Sequence, residues 1–219
     1  MSAIVLYTDY DYSIYERLME MYNNILPQHI KDKARKFSRW QDQQAYLLGK
    51  LLIWKGLKHF HYPDDCLTKL QTNGYGKPYL DSTVFFNLSH SGQYVICAFY
   101  HDEIGIDIEQ IKPVEIVDFS TIFSDQEKNH LTSSPDPQKD FYRFWTIKES
   151  VIKAEGKGVS IPLAQVNSAE VGAEGNIHFE NKIWFVNQVS LFQNYCCSLA
   201  TRTKPSSLTF EKVNFITSR

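Results

Sequence analysis

The heptapeptide GIDIEQI, Gly105 to Ile111, constrains this chain more than any other stretch. In a β-strand successive side chains leave on opposite faces, so Ile104, Ile106 and Ile108 enter one face and Asp107 and Glu109 the other. The isoleucines require a core. The two acids then share a face with Cα atoms roughly 7 Å apart, two strand rises. There two full charges repel by about 2 kcal/mol at an effective dielectric near 20. A solvated edge tolerates that repulsion, whereas a partly enclosed site needs a cation between the acids. The fold must therefore either leave this face wet or bring a counter-charge to it.

The segment 139–156 offers a partner. In KDFYRFWTIKESVIKAEG, Trp145, Glu149 and Lys153 recur every four residues and line one face of a helix. Phe141, Phe144, Ile147, Val151 and Ile152 spread apolar groups round most of its circumference, so the helix is largely enclosed. Its charges, Lys148 included, then need partners, because unpaired buried charge is costly. One reading is an internal Glu149–Lys153 pair. The other is a third carboxylate that meets Asp107 and Glu109 around a hard cation, for which oxygen ligands suit Mg2+. Gly156 supplies the usual left-handed stop.

Elsewhere, AIVLYT reads as a buried strand, and Ser13-Ile14-Tyr15-Glu16 and Ser124-Asp125-Gln126-Glu127 as capping boxes that open helices. A long helix is expected over roughly 40–60. Two apolar strands, 84–88 and 94–100, are expected to be joined by a polar turn, Ser89-His90-Ser91-Gly92. The runs IHFE, IWFV and YCCSLA read as further strands. Tyr94–Phe99 (YVICAF) and Tyr195–Ala200 (YCCSLA) are similar apolar runs that open on Tyr, about 100 residues apart, which suggests a duplicated unit. The expectation is an α+β fold of two similar halves, 1–103 and 104–219, with the site in the cleft between them.

Charge is uneven along the chain. Residues 31–58 hold eight Lys or Arg against two Asp, and residues 102–127 hold eight acids against one Lys. With a net charge of −2, the cluster Lys31, Lys33, Arg35, Lys36 is not read as a nucleic-acid surface. The four cysteines form no CxxC and read as buried thiols, which suits a reducing compartment. Neither a signal peptide nor a membrane span is apparent, so a cytoplasmic protein is expected.

GIDIE followed some forty residues later by WTIKESVIKAEGKG, with YGKP and FNLSHSG before it, resembles the 4′-phosphopantetheinyl transferases of the surfactin-synthetase-activating type. The recognisable segments run from about Lys33 to Pro162. The resemblance implies two pseudo-symmetric α/β halves with coenzyme A between them and Mg2+ on its pyrophosphate. It implies transfer of the phosphopantetheine arm to a serine hydroxyl of an apo acyl or peptidyl carrier protein, with release of adenosine 3′,5′-bisphosphate. Carried over by position, Asp107, Glu109 and Glu149 would be metal ligands. Lys153 and His90, with Ser89, would meet coenzyme A phosphates. Lys77 would serve the nucleotide side, and Lys33 the 3′-phosphate. Glu127 stands where the family often has an acid. The long helix departs from the family pattern: Gln43 and Gln44 stand before Leu47-Leu48-Gly49 where an Arg is usual, and Arg39 is the candidate substitute.

On this reading Glu149 is the base for the serine proton, directly or through a water, with Lys153 and His90 on the leaving side. The segment 159–166 is either a carrier-docking surface or a core-packing loop. A monomer suffices, because both halves lie in one chain. The alternatives are a Mg2+-dependent coenzyme A phosphohydrolase that needs no carrier, and an inactive homologue that binds coenzyme A or a carrier.

Overall fold

The computed structural model describes residues 1–216. Its helices are α1 (Tyr15–Met21), α2 (Gln28–Ala34), α3 (Trp40–His59), α4 (Asp125–Ser133) and α5 (Pro137–Glu155). Its strands are β1 (Ala3–Asp9), β2 (Gln71–Thr72), β3 (Pro78–Tyr79), β4 (Phe85–Ser91), β5 (Tyr94–Tyr100), β6 (Ile104–Gln110), β7 (Glu174–Phe179), β8 (Lys182–Gln188), β9 (Tyr195–Thr201) and β10 (Leu208–Lys212). The fold is α+β, with two four-stranded sheets ordered β10-β1-β5-β4 and β6-β9-β8-β7 and a small β2-β3 ribbon.

The halves repeat one plan. In each, a first strand pairs antiparallel with the last, which pairs antiparallel with a third: β1-β5-β4 and β6-β9-β8. A long helix covers each sheet, α3 against β1 and β5, α5 against β6 and β9. Leu47, Leu48, Leu51, Leu52 and Leu57 of α3 pack with Leu6, Phe86 and Phe99 in the first core. Ile147, Val151 and Ile152 of α5 pack with Trp184 and Val186 in the second. Ile104, Ile106 and Ile108 join Val5, Ile96 and Leu199 in a third cluster that both sheets share.

Of four features set against the sequence reading, three differ and the third agrees. First, β4 does not end at Leu88: it runs through Ser89, His90 and Ser91, and the turn is Gly92-Gln93, with Gly92 at φ +56°. The reason is the neighbour of β4, described below. Second, Ser13 does not cap α1. Gln44, fully buried on α3, does that work: its side chain accepts from Ile14 N and donates to Tyr12 O. A tertiary contact has displaced the local cap. Third, the capping box at Ser124 and Glu127 is complete. Fourth, the chain leaves the second half before its end: β10 pairs in parallel with β1, and Val213 and Phe215 enter the first core. The span 104–219 therefore does not lie wholly in the second half.

Candidate active site

The site lies where the two sheets meet. β4 and β6 are edge strands of different sheets and share no backbone ladder. Side chains of β4 take its place: Ile106 N donates to Asn87 Oδ1 (2.9 Å), Ile108 N to Ser89 Oγ (3.3 Å) and Gln110 N to Ser91 Oγ (3.0 Å). Every second residue of β4 thus satisfies a β6 N–H that an open edge would leave exposed. This is why the strand continues through a polar sequence.

Asp107 and Glu109 share a face of β6, as the alternation requires. Ser89 Oγ donates to Asp107 Oδ1 (2.9 Å) and Ser91 Oγ to Glu109 Oε2 (2.7 Å). Helix α5 crosses that face at very short range. A Cβ on Gly105 would stand 2.0 Å from Ser150 O and 2.3 Å from Ala154 N, so only glycine admits the helix. Asp136 caps the helix through Lys139 N, Pro137 occupies its first turn, and Gly156 (φ +81°) ends it. Lys153 then reaches back over β6: its ammonium lies 2.5 Å from Asp107 Oδ1 and 3.1 Å from Ser89 Oγ.

The expected Glu149–Lys153 pair gives way to another partner. The Lys153 ammonium is bonded to Asp107 across the seam. Burial lowers the proton affinity of Lys153, but Asp107 outweighs that effect and its pKa ends raised. Burial raises the pKa of Glu109, with Asp107 and Glu149 adding to the rise, and burial and Asp107 do the same for Glu149. Three acids therefore feel one another around a single ammonium. Asp107 Oδ2 is buried and has no hydrogen-bond partner. Among the described residues no three ligating side chains already stand close enough to hold a metal ion, so the expected three-acid set is not assembled in this conformation. The chemistry still suits a hard cation: all donors are carboxylate oxygens, they repel one another, and one buried oxygen is unpartnered.

Other expected residues have definite places. His90 lies between Ser89 and Ser91 on β4 and is exposed; partial loss of water and the Lys153 charge hold its imidazole below the ordinary value. Ser89 is buried in the seam with its bonds taken up by Ile108, Lys153 and Asp107. Lys33 lies 5.4 Å from the Tyr46 ring centroid, and Lys50, which the sequence reading passed over, lies at the same distance. Burial and Lys33 lower the Lys50 pKa. Lys31 instead bonds Asn23 through its backbone and side-chain oxygens. Arg39 is exposed at the head of α3, 4.0 Å from Asp42. Lys77 is the largest departure. Its ammonium donates to Ile104 O (3.0 Å) and Ala154 O (2.9 Å), so it clamps β6 to the end of α5.

Glu127 also has a structural place. It pairs with Lys148 at 2.8 Å with both side chains fully buried, and Lys148 donates to Leu163 O and Val166 O. This pair fastens the segment after α5. Ile161 and Val166 enter the core there, while Ser160, Pro162, Ala164 and Gln165 remain exposed. The sequence signal for Asn87 and Ser91, to which the sequence reading gave no role, was the polar period of two in Asn87-x-Ser89-x-Ser91.

Comparison with known proteins identifies the family. Residues 14–101 match the family described as 4′-phosphopantetheinyl transferase, N-terminal, and residues 103–200 match the 4′-phosphopantetheinyl transferase superfamily. The chain is 36% identical over 165 residues to the 4′-phosphopantetheinyl transferase Sfp of Bacillus subtilis, covering 74% of this chain and 73% of that protein. It is 35% identical over 190 residues to the 4′-phosphopantetheinyl transferase gsp of Aneurinibacillus migulanus, covering 82% and 80%. It is 38% identical over 138 residues to the 4′-phosphopantetheinyl transferase HetI of a Nostoc species, covering 58% of each.

Proposed function

This chain belongs to the 4′-phosphopantetheinyl transferase family, and we propose that it works at the seam between its halves, on Asp107, Glu109, Glu149 and Lys153. It transfers the phosphopantetheine arm of coenzyme A to a serine hydroxyl of an apo acyl or peptidyl carrier protein, and adenosine 3′,5′-bisphosphate leaves. The observation that carries the site is the Lys153–Asp107 bond, with Glu109 and Glu149 near enough to feel the same charges and Asp107 Oδ2 buried and unpartnered.

Asp107, Glu109 and Glu149 would hold Mg2+, which when bound neutralises pyrophosphate charge and polarises the phosphoryl group. The protein's own part is positioning and electrostatics. Lys153 stands ready to exchange its bond to Asp107 for one to a phosphate oxygen, which would place positive charge on the leaving side. His90, exposed beside it, donates to the same phosphates. Glu149 takes the serine proton directly or through a water; as a ligand of the cation it would have a lowered proton affinity, which favours the water route. Lys33 and Lys50, both beside the Tyr46 ring, supply charge for the 3′-phosphate. Ser160, Pro162, Ala164 and Gln165 face the carrier. One chain holds both halves of the site, so a monomer is sufficient. Among the described residues no helix is long and apolar enough to cross a membrane.

The test is intact-mass analysis of apo carriers incubated with coenzyme A, Mg2+ and the protein. The expected result is a gain of one phosphopantetheine arm, lost with EDTA and reduced on the order of 100-fold or more by Asp107→Ala or Glu149→Ala. Coenzyme A consumed without a carrier would establish the hydrolase instead. Coenzyme A bound without turnover on any carrier would establish the inactive homologue.

A further inference from the structure

The seam of β4 and β6 has three rungs, and two of them do more than close an edge. A serine hydroxyl carries a single proton and two acceptor lone pairs. Gln110 N donates to Ser91 Oγ at 3.0 Å, and the Glu109 carboxylate 2.7 Å away accepts. The proton of Ser91 is therefore directed at Glu109 Oε2. Ser89 is committed in the same way: it accepts from Ile108 N and Lys153 Nζ and donates to Asp107 Oδ1. Each acid on β6 thus has its own serine on β4.

We propose that Ser91 is a positioning residue for Glu109. It ties the acid to the backbone of the next residue in its own strand and leaves Oε1 to face the cleft and a cation. The inference rests on the metal role given to Glu109 in the preceding subsection. A second feature holds Ser91 in place. It is the last residue of β4, and the turn that follows packs so closely that a Cβ on Gly92 would stand 2.3 Å from Tyr195 Oη and 2.8 Å from Gln110 Oε1. Gly92 also has φ +56°, which favours glycine. The turn cannot drift without moving Tyr195, so the hydroxyl is held from the second half as well as the first. The third rung is a natural control: Asn87 Oδ1 accepts from Ile106 N but touches neither acid.

The experiment compares the wild type with Ser91→Ala, Ser91→Thr and Asn87→Ala. Binding of Mn2+ to the protein–coenzyme A complex is followed by electron paramagnetic resonance of the free ion. Thermal midpoints, kcat and KM for coenzyme A are measured alongside. Loss of an outer partner of a ligand typically weakens metal affinity about 10–100-fold. Ser91→Ala is expected to weaken Mn2+ binding about tenfold, and Ser91→Thr, which keeps the hydroxyl, to restore most of it. Asn87→Ala is expected to lower the midpoint without moving Mn2+ binding. Unchanged Mn2+ binding in Ser91→Ala, or equal weakening in Asn87→Ala, would overturn the proposal. Carrier loading by the wild type separates the two readings: the Mn2+ pattern without any loading would support Ser91 and sink the transferase assignment.

Discussion

Glu127 Oε2 and Lys148 Nζ stand 2.8 Å apart, and neither side chain reaches solvent. The same carboxylate accepts from Ser124 N, Ser168 N and Ser168 Oγ. One acid therefore fastens the start of α4, the segment after α5 and the residue that precedes Glu149. Removing one member of such a pair strands the other charge, a loss of about 3–5 kcal/mol. Glu127→Ala and Lys148→Met should each lower chemical-denaturation stability by that order, and the double variant should lose less than the sum. Burial raises the Glu127 carboxyl, but Lys148 and Ser168 outweigh it, so its pKa lies below the ordinary 4.5. Its stabilisation is present above that value and is lost as pH falls through the lower, folded one. Acid unfolding of Glu127→Ala should therefore show a shallower dependence on pH than that of the wild type.

Lys77 predicts the opposite limb. Burial pushes its pKa down from 10.5 to about 8. Between those values the unfolded lysine keeps a proton that the folded one has released, so stability rises with pH. Denaturant midpoints of the wild type measured against Lys77→Met from pH 8 to 10.5 should diverge in favour of the wild type, by up to roughly 3 kcal/mol. A constant difference would mean that the ammonium is not desolvated.

Gly105→Ala places a methyl group into the α5 backbone. A backbone neighbour cannot rotate away, so the helix must lift. A stability loss of about 3 kcal/mol is expected, together with loss of carrier loading, because Lys153 rides on that helix. Thermal unfolding and intact-mass loading read the two effects separately. Full loading in this variant would contradict the tight docking of α5 on β6.

Lys33→Met tests the nucleotide end. A charge-assisted contact to phosphate contributes about 1.5–3 kcal/mol. KM for coenzyme A should rise about tenfold or more, with kcat little changed, and dephospho-coenzyme A should be affected far less. Lys50→Met should behave the same way if both ammoniums around Tyr46 serve one phosphate.

The parts of this site that were legible in the sequence are those set by local periodicity. The alternation of Ile106, Asp107, Ile108 and Glu109 fixes their faces whatever lies beside them. The same holds for α5, whose apolar spread and Gly156 stop are local. The two apolar runs that open on Tyr, YVICAF and YCCSLA, marked β5 and β9, which occupy equivalent places in the two sheets. The parts that were not legible depend on distant groups. Ser89 and Ser91 look like turn residues until β6 is placed beside them. Ser13 looks like a cap until Gln44 arrives from α3. Lys77 looks free to meet a ligand until Ile104 O and Ala154 O are seen to claim it. β10, with four of its five side chains exposed, joins its sheet by backbone pairing, so it carries little hydrophobic signal.

That last strand changes what a cut would do. The halves are connected once through the loop 101–103 and again through the return 202–207, where Ala3 N bonds Ser207 O and Ser206 N bonds Met1 O. The path is a closed belt rather than two beads on a string. A protease that opened the loop between β5 and β6 would leave two fragments still laced by β1 and β10, with Asp107 still facing Ser89. The molecule would migrate as cleaved on a denaturing gel and as whole on a native one.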